Sequence, residues 1–198
     1  MEKKYIELST ENIKEYNDKC RDILSSNINR KKEYIMDGNR YNNNLNIINN
    51  DLSYTLKRIE ELINEIRELS KRISILDRSK VSLAYNHNQL LSKNNINTNK
   101  INNARYYYNE IILELDRLIK RRDELKDILK WYKEKIIVLI LRKKHFNKHI
   151  NKCSKNVNVC NYNMNECYKV LDRLDNIYLN RSEKVTESYV TPKVKRIK

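Results

Sequence analysis

The stretch Leu52–Leu90, LSYTLKRIEELINEIRELSKRISILDRSKVSLAYNHNQL, decides how the rest of the chain is read. Every seventh residue from its start is Leu52, Ile59, Ile66 and Ile73, and three positions further on come Thr55, Leu62, Leu69, Leu76, Leu83 and Leu90. Apolar residues at the a and d places of a seven-residue repeat form one stripe along an α-helix. Such a stripe leaves water by packing knobs into the holes of a facing helix.

Counted in strict sevens, the stripe keeps its phase far downstream through Ile111, Leu115, Leu118, Leu125 and Leu129. The expected fold is therefore all-α: long amphipathic helices forming a coiled coil, either as a helical hairpin or bundle or as an extended rod. Composition agrees. The 198 residues include one Gly and one Pro, so the tight turns and phosphate-cradling loops that need those residues are nearly excluded. One third of the chain (34%) is charged, which suits long helices with large solvated faces better than a thick core.

Working outward from the stripe, residues 1–37 read as an N-terminal amphipathic helix, with Ser9 or Thr10 placed to cap it before Glu11 and Ile13. Asp37, Gly38 and the run Asn42–Asn44 read as a break over 38–44, because glycine takes a left-handed helix cap without steric cost. Residues 45–178 read as the coiled-coil region. Within it, SKNNINTNKINN at 92–103 concentrates poor helix formers, and a turn there would fold the region back on itself. The preserved phase counts against such a turn, so hairpin and rod both stay open. Residues 179–198, polar and carrying Pro192, read as a basic, disordered tail.

The width of the stripe bears on how many helices pack. Leu56, Ile63, Leu91, Ile112, Ile119 and Ile140 fall at e, which suggests three or four helices rather than two. In a parallel pair of chains Arg72 would meet Asp77, but Arg121 would meet Lys126, a repulsive pair. The oligomerisation seam is thus Leu52, Ile59, Leu62, Ile66, Leu69, Ile73, Leu76, Leu83, Leu90, Ile111, Leu115, Leu118, Leu125 and Leu129.

Charge is uneven. Residues 1–99 hold 17 Lys and Arg against 14 Asp and Glu, whereas residues 100–198 hold 24 against 12. The densest basic segment supplies the candidate anion contacts Lys130, Lys133, Lys135, Arg142, Lys143, Lys144, Lys148 and Lys152, with Trp131, Tyr132 and Phe146 interleaved. Lysines neutralise phosphates or anionic headgroups while aromatics stack or bury. They equally form the wet face of a helix whose seam lies elsewhere. Inside this segment Ile136, Ile137, Val138, Leu139, Ile140 and Leu141 are apolar all the way round the helix, which makes them the candidate contact with a protein partner.

No catalytic motif is present, and no cofactor or small-molecule substrate is implied. His145, His149 and Cys153 share a helix face, but the cysteine spacing is not that of a structural zinc site, so no metal is expected. Met1–Asn12 lacks the apolar core of a secretory signal, and the longest apolar run has six residues, so the expectation is an intracellular protein, cytoplasmic or nuclear, with no transmembrane segment. The function these features predict is a non-enzymatic scaffold or adaptor that assembles with itself or with other helical proteins. The alternative is a basic helical protein that binds nucleic acid or an anionic membrane surface.

Overall fold

A computed structural model describes residues 5–7, 9–92, 98–180 and 184–197. Two helices, α1 (Thr10–Leu91) and α2 (Thr98–Asn180), dominate it and pack as a hairpin. Two short strands, β1 (Tyr5–Glu7) and β2 (Lys184–Thr186), pair antiparallel with Ile6 opposite Val185, and a single turn of helix, α3 (Glu187–Val190), follows β2. No described helix is long and apolar enough to cross a membrane.

Helix α1 starts where the hydroxyl rule places it. The Asn12 amide donates to Ser9 Oγ at 3.2 Å and the Ile13 amide to the Ser9 carbonyl at 3.0 Å, so Ser9 is the cap. The helix then runs without interruption through Asp37, Gly38 and Asn42–Asn44. The break expected over 38–44 is absent for a packing reason. A methyl group at Gly38 would sit 3.7 Å from Cys153 Cβ, so this position faces α2. A glycine costs a helix only about 1 kcal/mol, which an apposed helix outweighs.

Two further expectations are corrected. Residues 98–103, the second half of the predicted turn, already belong to α2. Residues 93–97 lie outside the described residues. The stretch read as a disordered tail contains β2 and α3, and Val190 is fully buried.

The chain divides into two compact units. Unit 1 comprises residues 1–47 and 142–198. Its core is Cys20, Val170, Leu174, Ile177 and Val190, with Ile13, Tyr16, Leu171 and Val185 packed around it. Unit 2 comprises residues 48–141. Its core is aliphatic: Ile48, Leu62, Leu115, Leu118, Leu125 and Leu139 are all buried. Thr55, at a d position between them, is also buried, and its hydroxyl has no hydrogen-bond partner.

Candidate functional site

In unit 2 the predicted seam turns inward. Leu62, Leu115, Leu118 and Leu125 are buried, and Leu52, Ile59, Ile66, Leu69, Ile73, Leu76, Leu83, Leu90, Ile111 and Leu129 are half-buried. The burial occurs within one chain. The side chains assigned to oligomerisation thus pack between the two helices of one chain, ten of them only half-buried.

Two ion pairs set the geometry of unit 2. Arg72 Nη2 lies 3.3 Å from Glu114 Oε1, and Arg121 Nη2 lies 3.6 Å from Glu65 Oε1. All four residues are at g, so the two g rows face each other along one flank, as antiparallel helices require. This also removes the repulsion expected of a parallel pair: Arg121 meets Glu65 instead of Lys126, and Lys126 pairs with Asp123 at 3.0 Å. All these pairs are exposed and each contributes under about 1 kcal/mol, so they orient the helices more than they stabilise them.

The opposite flank carries the two e rows, in which exposed apolar residues alternate with Ser70, Asp77, Lys126 and Lys133. Leu56 and Ile140 are more than half exposed (55% and 52%), Ile63 and Ile119 are exposed to 39% and 36%, and Ile112 is half-buried. These residues interleave in sequence with the buried leucines, yet two packed helices cannot cover them. Exposed apolar residues gathered along one flank give unit 2 a candidate contact surface.

The segment Ile136–Leu141 is helical, and its six residues differ in burial. Leu139 is buried and Ile136 half-buried, both spent on the hairpin, while Ile137, Val138, Ile140 and Leu141 are exposed. Among the anion candidates of unit 2, Lys130 and Lys133 are exposed and Lys135 is half-buried, its ammonium 5.4 Å from the Trp131 ring centre. In unit 1, Arg142, Lys144, Lys148 and Lys152 are exposed and Lys143 is half-buried.

Unit 1 holds a polar site that sequence reading missed. Asn163 is buried, and its side-chain amide reads the backbone of Lys195 twice: the Lys195 amide donates to Oδ1 at 2.7 Å, and Nδ2 donates to the Lys195 carbonyl at 3.0 Å. The same Nδ2 donates to Oδ1 of buried Asn27 at 3.2 Å, and Asn27 Nδ2 donates to the Ile23 carbonyl at 2.8 Å. Lys195 Nζ lies 3.9 Å from the Tyr162 ring centre, and Arg173 Nη1 donates to the Tyr189 carbonyl at 3.3 Å. The only sequence signal was Asn27, a polar residue at a d position.

The histidines and cysteines of unit 1 serve packing. His149 stacks on Tyr41 with ring centres 4.9 Å apart and lies 4.4 Å from His145. Among the described residues no three His, Cys, Asp or Glu side chains gather as metal ligands. Cys20, Cys153, Cys160 and Cys167 are free and buried, and burial raises all four thiols above their ordinary pKa. Cys167 is pushed up to about 11, by burial first and then by Cys20 and Glu166 nearby. A thiol held protonated is a weak nucleophile. Unit 1 also has an open cleft of about 360 Å³ beside Lys14, Asp18, Arg21 and Asp175, whose mixed charges favour no one ligand class.

Comparison with family models, with curated proteins and with solved structures finds no match to this chain.

Proposed function

We propose that the chain is a non-enzymatic assembly element: a coiled-coil hairpin that satisfies its own seam and offers the apolar flank of unit 2 to further helices, from copies of itself or from other helical proteins. One observation carries this reading. The residues Leu56, Ile63, Ile119 and Ile140 stay exposed on a single flank while the leucines between them are buried. Burying such side chains against another helix recovers roughly 25 cal/mol for each Å² of apolar surface removed from water.

The test is sedimentation of the full chain beside a variant carrying Leu56→Glu and Ile119→Glu. Wild type is expected to assemble, alone or with a helical partner, and the variant to remain helical and stay monomeric. A variant that assembles as wild type does would remove the flank from the argument.

A second reading has its own observation. Trp131 is exposed (55%) beside Lys130, Lys133 and Lys135, a grouping suited to phosphate backbones or anionic headgroups. It predicts binding to DNA, RNA or anionic liposomes that weakens steeply with added salt as counterions are released. The assembly reading predicts only weak, non-selective anion binding.

A further inference from the structure

The e flank of unit 2 carries an order of apolar and charged residues that bears on its partner. Along α2 it is lined by e and b positions in the sequence Ile112, Asp116, Ile119, Asp123, then Lys126, Lys130, Lys133, Ile137. All but Ile112 are exposed. Laid against an inverted copy of itself, centred between Asp123 and Lys126, this stripe puts Ile112 opposite Ile137, Asp116 opposite Lys133, Ile119 opposite the stem of Lys130, and Asp123 opposite Lys126. Laid parallel to itself, it sets lysine on lysine and aspartate on aspartate.

Helix α1 also carries charge on this flank. Its e and b positions there give Glu60, Ile63 and Arg67. The Arg121–Glu65 pair places those residues level with each other, so the centre of the α2 stripe faces α1 near Glu61 and Leu62. About that centre an inverted copy sets Glu60 opposite Ile63 and Arg67 opposite Leu56, so the charge order is carried by α2 alone. A two-fold axis perpendicular to both helices demands one centre, and the α2 stripe supplies it.

We propose that the partner on this flank is a second copy of the chain, inverted, with α2 antiparallel on α2 and α1 antiparallel on α1 in an isologous dimer. This rests on the assembly reading above and names its partner. The stripe from Ile112 to Ile137 is about 38 Å long and two helices are about 20 Å wide. Each copy then covers on the order of 750 Å², close to the roughly 800 Å² per partner of a stable interface. Asp123 already pairs with Lys126 within its helix, so the interchain charges replace existing partners and set orientation more than affinity. A dimer with the hairpins side by side in the same direction would instead set Leu56 level with Lys130 and Ile63 level with Asp123.

Zero-length carbodiimide cross-linking of the full chain tests the arrangement. Asp116 and Lys133 are separated by about 25 Å of one helix, so a link between them joins two chains. The expected result is a dimer containing that link. Asp116→Lys with Asp123→Lys should weaken the dimer at least about tenfold, and adding Lys126→Asp and Lys133→Asp should restore it. Circular dichroism of each variant checks that helix content is unchanged. A dimer without the Asp116–Lys133 link, or one joined through Glu60 and Lys130 of different copies, overturns the inverted arrangement and leaves the assembly reading in place. A chain that stays monomeric while its flank binds another helical protein overturns it too. A monomer that binds no helical protein overturns both.

Discussion

Unit 1 and unit 2 are built from the same two helices and the same seven-residue repeat, yet they solve burial differently. Unit 2 uses leucine and isoleucine at the seam, leaves its e flank bare, and carries its polar pairing in exposed g-row ion pairs. Unit 1 places Cys20, Asn27, Cys153, Cys160 and Cys167 at d positions, and its residues 184–197 form β2, α3 and the segment read by Asn163. A seam of small and polar residues supplies less apolar area, and the closing segment supplies the remainder. Where the buried seam is mostly leucine and isoleucine no closing segment is needed, and the exposed apolar residues at e face water.

The comparison can be broken at several points. The largest effect is expected in unit 2 at Leu125→Ala. It should cost about 2–5 kcal/mol, because a buried leucine leaves a cavity between closely packed helices. Amide exchange should accelerate across residues 48–91 and 98–141. An effect below about 1 kcal/mol would mean that the aliphatic seam does not stabilise that unit as described.

In unit 1 the sharpest change is Asn163→Leu, expected to cost about 1–3 kcal/mol, since it strands the Lys195 amide and carbonyl and the Asn27 amide oxygen. The signature is rapid exchange of the Lys195 amide with the helices still protected. If that amide stays protected, the closing segment is held by something other than Asn163.

Alkaline titration separates the units next. Cys167 has its pKa raised from 9.0 to about 11 in the folded protein. The unfolded chain loses its thiol proton first as pH rises, so this contribution is intact below pH 9 and is lost as pH climbs towards about 11. Cys167→Ala should flatten that limb of the stability curve in unit 1. An unchanged limb would assign it to tyrosines and lysines instead.

Two smaller effects carry the opposite sign. Thr55→Val should stabilise unit 2 by about 1 kcal/mol, because its buried hydroxyl has no partner and valine keeps the shape. Gly38→Ala should stabilise unit 1 by about 0.5–1 kcal/mol through helix propensity, given the ordinary 3.7 Å contact that awaits the new methyl group at Cys153. A loss of stability at Gly38 would show that the helices approach there too closely for any side chain.

Much of this molecule is legible residue by residue. The heptad count picks out the inward positions across both helices: from Leu52 to Leu174 every described a or d residue is buried or half-buried. The exposure of Ile137, Val138 and Leu141 at b, c and f likewise follows from counting. Two local signals misled. Gly38 and the asparagines at 42–44 resemble a break, but local propensity is worth about 1 kcal/mol per residue and a long packed helix overrides it. The polar segment after Asn180 resembles disorder because it has no periodicity. Its order comes from Val190 in the core and from Asn163, which bonds a backbone 32 positions away.

From the sequence alone came the helical class and the face each residue turns inward, because a period of three and a half residues is a property of one helix by itself. The identity of the facing helix belonged to the tertiary structure. A heptad stripe states that a face must leave water and is indifferent to which helix covers it, whereas the g-row charges distinguish directions only once two helices are side by side. Glu65 with Arg121 and Glu114 with Arg72 are attractive in one antiparallel register, and that register turns the seam inward within a single chain and leaves the e rows facing out.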